Sequence, residues 1–540
     1  MSSQQYEFGM VGLGTMGRNF LLNVAEHGFS CVGYDLDAAK RTLLLEEGKG
    51  FSIASAEDQA AFVASLEVPR KIMLLIPAGP IVDAVIAGLI PILEKGDLII
   101  DGGNSHFTDT ERREAYLNEK GFEFLGVGVS GGEEGARHGA SIMIGGNASV
   151  YEHVRPILEA VSAKVNGEPC AAYVGKSSAG HFVKMVHNGV EYGLMQILAE
   201  TYDFMLRVLK MDYVQMSDTF AKWNSTELNS FLVEITAEVL RKVDAETGKP
   251  LVEMVLDKAA QKGTGKWTSQ AAMDLGVPIP TIDSAVSMRQ ISAQKETRVL
   301  VAEKYGSKPP SDERQHRSHG ELVTSEPQHD RKAVRAEEDV ETEVSLQQRD
   351  TIGVSEISAA KHSERTSGES SLSAESRAAF EADFERSLEE LKDTLLSSFI
   401  VTYAQGLSLL QTASVEKNYE VNLAEIAKIW RGGCIIRSAL LEDMRLAFAE
   451  NPSLPNLVLD TRFAESLSNG RESWHRKIGE FSQSRIPSLC LSSALAYFEA
   501  FRSERLPANL IQAQRDYFGA HTYQRTDKEG TFHTPDWEVS

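Results

Sequence analysis

The chain has 540 residues, 42% of them hydrophobic and 24% charged, which suits a globular protein of two to four domains. Its 55 Lys and Arg against 77 Asp and Glu leave a formal charge of -22, so no nucleic acid and no membrane surface is expected as a partner: either polyanion needs a basic face. Cys31, Cys170, Cys434 and Cys490 lie far apart, with neither metal-ligand spacing nor disulfide density, so a reducing compartment and no metal are expected. Met1-Ser2-Ser3-Gln4-Gln5 shows no basic or apolar leader and no later run approaches 18 apolar residues, which predicts a cytoplasmic protein.

From Tyr6 to about Val174, apolar strand-like runs alternate with helical patterns: Phe8 to Val11, Cys31 to Tyr34, Ile72 to Ile76, Leu98 to Asp101 and Phe124 to Val127 are the strand candidates. Such alternation predicts βαβ units and a mostly parallel sheet of the α/β Rossmann type over residues 1–178. Gly12-Leu13-Gly14-Thr15-Met16-Gly17 follows the first strand and opens a helix from Gly17 to His27. In that context the glycines allow a tight turn, let backbone N–H groups reach a pyrophosphate and admit close helix–strand packing, so the loop reads as a dinucleotide site. Asp35 ends the second strand, where its carboxylate can accept from the adenosine ribose hydroxyls and repel a 2′-phosphate. Ile76-Pro77-Ala78 ends another strand and is expected to face the cofactor without offering a cation.

From about Lys176 the turn signals thin out, and segments such as Gly180 to Leu209 show helical periodicity, predicting an all-α helical domain over 179–503. Between Tyr305 and Phe380 there is no Phe, Trp or Tyr, and residues 307–376 read as a disordered insertion in that domain. Glu191-Tyr192-Gly193-Leu194-Met195-Gln196 and Thr402-Tyr403-Ala404-Gln405-Gly406-Leu407 share a faint similarity. Residues 504–540 form an extended C-terminal tail whose Tyr517, Phe518, Tyr523, Phe532 and Trp537 argue that it docks on something. Gly263-Thr264-Gly265-Lys266-Trp267 fails as a Walker A loop, because Ala260 replaces its first glycine and Trp267 its Mg²⁺-holding Ser or Thr.

On the helix from Gly180 to Tyr192, Lys184, His187, Asn188 and Glu191 stand at i, i+3, i+4 and i+7 and make one polar stripe among Phe182, Val183, Met185, Val186 and Val190. A bland alternative is an internal Lys–Glu pair beside a satisfied core histidine. A desolvated lysine, however, can lose its proton near neutral pH and act as a base, while a glutamic acid in the same cleft keeps its proton and acts as the acid. That pair suits alcohol oxidation followed by carbanion protonation.

Six long motifs in order then carry a resemblance: Asp101-Gly102-Gly103-Asn104-Ser105, Val129 to Arg137, Gly180 to Tyr192, Lys262 to Thr268, Trp430 to Ser438 and Gln512 to Tyr523. Together they resemble decarboxylating 6-phosphogluconate dehydrogenase. The resemblance implies oxidation of 6-phospho-D-gluconate to D-ribulose 5-phosphate and CO₂ with reduction of NADP or NAD. It implies Lys184 as the base and Glu191 as the acid; Asn104, Ser130, Gly131, Gly132, His187 and Asn188 on the carboxylate and hydroxyls; and Tyr192, Lys262, Thr264 and Arg289 on the phosphate. Arg515 and His521 would join that clamp from the other subunit of a homodimer with shared active sites.

Typical members carry a basic Asn-Arg-Thr string where this chain has Asp35-Leu36-Asp37, and lysine where Pro77 stands. The resemblance therefore implies NADP, whereas the local charges predict NAD. Two rival readings are a β-hydroxyacid dehydrogenase for a small acid, which needs no phosphate clamp, and a non-catalytic scaffold, against which intact Lys184 and Glu191 weigh.

Overall fold

A computed structural model describes residues 5–306 and 374–537. Eight strands form the main sheet: β1 (Phe8–Val11), β2 (Cys31–Tyr34), β3 (Ile53–Ser55), β4 (Lys71–Leu74), β5 (Leu98–Asp101), β6 (Glu123–Ser130), β7 (Ser141–Gly146) and, after the small hairpin of β8 (Lys164–Val165) and β9 (Glu168–Pro169), β10 (Ala171–Gly175). Their order is β10-β7-β6-β5-β4-β1-β2-β3, parallel except for the antiparallel β6–β7 pair. Between them run α1 (Thr15–Glu26), α2 (Ala38–Glu47), α3 (Gln59–Ala64), α4 (Pro80–Leu89), α5 (Phe107–Lys120), α6 (Gly132–His138), α7 (Ala148–Tyr151) and α8 (Arg155–Val161). Helices on both sides explain why β1 is apolar throughout: Phe8 and Met10 enter one core and Val11 the other.

The helical part begins with α9 (Ala179–Arg207) and continues through α10 (Tyr213–Trp223), α11 (Phe231–Arg241), α12 (Leu251–Met254), α13 (Thr264–Asp274), α14 (Pro280–Ala293) and α15 (Lys295–Tyr305). After the undescribed stretch come α16 (Ala374–Glu416), α17 (Leu423–Trp430), α18 (Leu440–Glu450), α19 (Thr461–Gln483), α20 (Leu489–Phe501) and α21 (Ala508–Gly519). The chain divides into two compact units, Met1–Ser307 with Glu390–Ser540 and Lys308–Glu389. Most of the expected insertion, 307–373, lies outside the described residues; 374–376 already belong to α16. The tail is not extended throughout, because α21 and the β11–β12 hairpin (Tyr523–Gln524 and Thr531–Phe532) fold within it. Among the described residues no helix is long and apolar enough to cross a membrane.

The two faintly similar strings pack on one another: a methyl on Gly193 would meet Thr402 Cγ2 at 2.6 Å, and one on Gly406 would meet Val190 Cγ2 at 2.5 Å.

Absent side chains seat α9 on the sheet. A Cβ on Gly180 would lie 2.2 Å from Gly126 O and 2.6 Å from both Gly145 N and Met143 O, while one on Gly128 would lie 2.4 Å from Lys184 Cβ. Backbone therefore touches backbone where α9 crosses β6 and β7, and the first turns of the helix are buried on nearly every side. Backbone atoms cannot rotate away as a side chain can, so Gly180→Ala is expected to destabilise the protein by about 3 kcal/mol or more. Chemical denaturation checks this, with Ala179→Gly, which removes a methyl instead of adding one, as the milder comparison.

Candidate active site

The glycine loop has the geometry that a dinucleotide needs. Gly12 takes a left-handed φ of 97°, and a Cβ there would strike Leu75 O at 2.5 Å and Ile76 Cγ2 at 2.6 Å. A Cβ on Gly14 meets nothing within 4 Å, which leaves the N-terminus of α1 open to an incoming phosphate, whereas one on Gly17 would stand 1.9 Å from Gly12 O. Three glycines thus serve turn, approach and packing. Thr15 is exposed and Met16 half-buried beside them. Leu13 N donates to Asp35 Oδ2 at 2.8 Å, and Asp37 N to Asp35 Oδ1 at 2.9 Å, so the acid at the end of β2 braces the loop.

Two cations that the sequence reading passed over stand beside that acid. Lys40 Nζ lies 3.5 Å from Asp35 Oδ2, and Arg41 Nη1 donates to Asp35 O at 2.6 Å and Leu36 O at 3.3 Å. Their spacing from Asp35, five and six residues on in the first turn of α2, was the available signal. Leu36 is 88% exposed.

Across the cleft, Arg113 joins two loops. It donates to Asp101 Oδ2 at 3.1 Å and to Gly79 O at 3.0 Å, while Ser105 Oγ donates to Asp101 Oδ2 at 2.7 Å. The loop of Ile76, Pro77 and Ala78 is thereby tied to the one that leaves Asn104 exposed. Arg113 and Arg112 hold the Asp83 carboxyl down at about 2.

On α9 the polar stripe converges. Lys184 Nζ donates to Asn188 Oδ1 at 2.9 Å, and His187 Nδ1 lies 3.1 Å from the same oxygen. Asn188 Nδ2 donates to Thr264 Oγ1 at 3.2 Å, which brings in α13. His187 Nε2 stands 3.2 Å from Ser130 Oγ at the end of β6, with Gly131 and Gly132 following. The His187 ring meets the edge of Trp430 at 5.6 Å, and Gly433 O would lie 2.5 Å from a Cβ on Gly131, so the Trp430–Ser438 segment forms the floor.

Burial then sets the protonation states. It pushes the Lys184 ammonium below its ordinary range against the opposing pull of Glu191, and it pushes the Glu191 carboxyl up against Lys184 and Arg289. His187 falls well below the usual histidine range, through burial and then the Lys184 charge, and stays neutral. Cys434, also near Lys184, is pushed up to about 12 by burial and remains a thiol. A base and an acid thus share one cleft, each moved toward neutrality.

One turn further on, the Arg289 guanidinium lies 3.4 Å from the Tyr192 ring centre and donates to Ala260 O at 3.0 Å. Tyr192 fills the space left by Gly265, where a Cβ would meet its ring at 2.5 Å. Lys262 is exposed just before α13. Arg515 pairs with Gln512 Oε1 at 3.1 Å, and His521 packs edge-on to Phe518; among the described residues neither bonds to the Lys184 group. Nor do the described residues hold a cluster of three or more metal-ligating side chains.

A methyl at Gly17 cannot coexist with the closed loop. Gly17→Ala is therefore expected to weaken dinucleotide binding by on the order of 100-fold or more while far-UV circular dichroism is retained, as calorimetric titration would measure.

Comparison with known proteins agrees with this geometry. A family model described as the NAD binding domain of 6-phosphogluconate dehydrogenase matches residues 7–175, and one described as the C-terminal domain of 6-phosphogluconate dehydrogenase matches 180–336 and 337–537. The break between the latter two stretches falls within 307–376. The NADP(+)-dependent, decarboxylating 6-phosphogluconate dehydrogenase of Bacillus subtilis is 44% identical over 534 residues, covering 99% of each chain. A decarboxylating 6-phosphogluconate dehydrogenase of Saccharomyces cerevisiae is 42% identical, covering 96% of this chain and 92% of its own. The solved Plasmodium falciparum 6-phosphogluconate dehydrogenase, studied as apoenzyme and with NADP+ or 6-phosphogluconate, superposes with a TM-score of 0.82 at 37% identity, covering 98% of this chain and all of that one. This chain belongs to the 6-phosphogluconate dehydrogenase family.

Proposed function

We propose that the chain oxidatively decarboxylates 6-phospho-D-gluconate to D-ribulose 5-phosphate and CO₂ with a nicotinamide dinucleotide. The observation that carries the reading is Lys184, buried on α9 with Asn188 Oδ1 as its partner at 2.9 Å and with Glu191 two turns along the same helix. When bound, the nicotinamide accepts hydride from carbon 3 of the sugar acid. Lys184, whose ammonium form burial disfavours, takes the proton of the 3-hydroxyl in its amine form. As an ammonium it then donates to the ketone oxygen, giving the electrons released with CO₂ a place to go. Glu191, whose acid form burial favours, delivers its proton to carbon 1 of the resulting enediol.

Asn104, Ser130, Gly131, Gly132, His187 and Asn188 are assigned to the carboxylate and hydroxyls. Neutral His187 suits this, since it can donate or accept without competing for the Lys184 proton. Tyr192, Lys262, Thr264 and Arg289 are assigned to the phosphate. Arg289, braced on Tyr192, is the preorganised member, and exposed Lys262 is free to swing in. Arg515 and His521 complete the clamp from a second copy. In support, α21 exposes Leu510, Tyr517 and Phe518, which line a hollow of about 440 Å³ with Trp537.

For the cofactor we infer a preference for NAD. In support, Asp35 and Asp37 gather two carboxylates at and just after the end of β2, a charge that would repel a 2′-phosphate, and Leu36 and Pro77 add no cation. Lys40 and Arg41 offset part of that charge, so NADP should remain usable. The expected ratio of kcat/KM for NAD over NADP is above 1 and below about 100. Absorbance at 340 nm with 6-phosphogluconate and each cofactor, together with CO₂ release, measures it; a clear NADP advantage would refute the preference.

The same assay tests the proton chemistry. kcat/KM should rise with pH as Lys184 deprotonates, at a pH below the ordinary lysine range. It should fall as Glu191 ionises, at a pH above the ordinary carboxyl range. Lys184→Met should retain substrate binding and lower kcat by on the order of 10³-fold or more, and unchanged turnover would remove Lys184 from the mechanism.

A further inference from the structure

Between the loop that carries Asn104 and the helix that carries Lys184 runs a partly buried polar seam with no part in the chemistry above. Thr110, Glu111 and Glu114 share one face of α5, and the start of α9 meets each of them. Ser177 Oγ donates to Glu114 Oε2 at 2.5 Å, Ser178 Oγ donates to Glu111 Oε1 at 2.9 Å, and His181 Nδ1 lies 2.6 Å from Thr110 Oγ1. The carbonyls of Asp101 and Gly103 lie against the His181 ring, whose Nε2 is buried with no partner at hydrogen-bond geometry. That ring therefore touches both the strand end leading to Asn104 and the helix turn preceding Lys184.

Tyr419, three residues beyond α16, closes the seam. Its hydroxyl lies 2.6 Å from Ser178 Oγ and 3.2 Å from Glu111 Oε1, its carbonyl accepts from Lys176 N at 2.8 Å, and its ring packs on Phe182. Lys417 adds an ammonium 3.4 Å from Glu111 Oε1 and 4.7 Å from the Phe107 ring centre. On either side of Tyr419, Asn418 and Glu420 hold left-handed φ values of 53° and 61°. A glutamate pays for that backbone only where neighbouring contacts over-determine it, and here they insert one tyrosine between two elements that carry opposite walls of the cleft.

We propose that Thr110, His181 and Tyr419 are positioning residues: the seam sets where the Asn104 loop and the bound nicotinamide stand relative to the Lys184 amine. The inference rests on the reading of the chain as a decarboxylating dehydrogenase. α5 starts three residues after Asn104, and Lys184 lies one turn after His181, so slippage along the seam moves the hydride path against the proton path. Misplacement by about 1 Å can cost on the order of 100-fold in rate.

The test uses the full chain with Thr110→Val, which keeps the methyl packed under Gly126, and Tyr419→Phe, which keeps the ring on Phe182, singly and together. Turnover of 6-phosphogluconate carrying hydrogen or deuterium at carbon 3 is followed beside thermal unfolding. The double variant is expected to fold, to hold its KM values within about twofold, to lose about tenfold or more in kcat, and to show a larger isotope effect on kcat. Thr110→Ser, which keeps the hydroxyl, should restore the rate lost in Thr110→Val. Wild-type kcat in a folded double variant would overturn the proposal. So would a loss that tracks the folded fraction with the isotope effect unchanged, because a purely structural seam does only that. Failure of the unaltered chain to turn over 6-phosphogluconate would instead overturn the underlying reading.

Discussion

A single amine held out of water imposes most of what surrounds it. Lys184 is 7% exposed, and its ammonium form is costly there unless a partner or a negative substrate offsets the lost hydration. The chain gives it one neutral acceptor, Asn188 Oδ1, and the pull of Glu191 toward the charged form is outweighed by burial. Such burial needs a helix pressed against a sheet without intervening side chains. Gly126, Gly128, Gly145 and Gly180 supply that contact, so the chemistry on α9 and the packing of the two layers are one problem solved once.

The acidic chain meets an anionic substrate by local arrangement. A formal charge of -22 sets a repulsive far field, yet Arg289 of α14 is held against Tyr192 of α9, and Lys262 is exposed on the approach to α13. Short-range donors outweigh the distant carboxylates, because the Debye length of about 8 Å at physiological salt screens the latter. A similar balance recurs at the end of β2, where Lys40 and Arg41 of α2 lie against the carboxylate and carbonyl of Asp35.

Legibility in the sequence followed the range of the forces involved. β1, β2 and β5 were readable to the residue because both faces of each are buried, and the glycine loop because its turn is local. β7 was missed: Ser141-Ile142-Met143-Ile144-Gly145-Gly146 ends in glycines that read as a turn, and its antiparallel pairing with β6 is decided by tertiary contacts. The stripe from Lys184 to Glu191 was legible from helical spacing, but the Trp430–Ser438 floor beneath it came only as a resemblance, since the two are far apart in the chain. Lys40 and Arg41 were not legible from the strand pattern, because they follow Asp35 by five and six residues, on the first turn of α2. Arg515 and His521 were named from resemblance alone, and a single chain gives them no place in the cleft.

The most direct measurement is the titration of the Lys184 amine itself, by NMR of protein carrying isotope-labelled lysine, with Lys184→Met to assign the signal. A midpoint well below the ordinary lysine value of about 10.4, moving upward when 6-phosphogluconate binds, is the expected result. A midpoint at or above the ordinary value in the free protein would mean that the amine is a permanent cation, and the proton chemistry assigned to it would have to be abandoned.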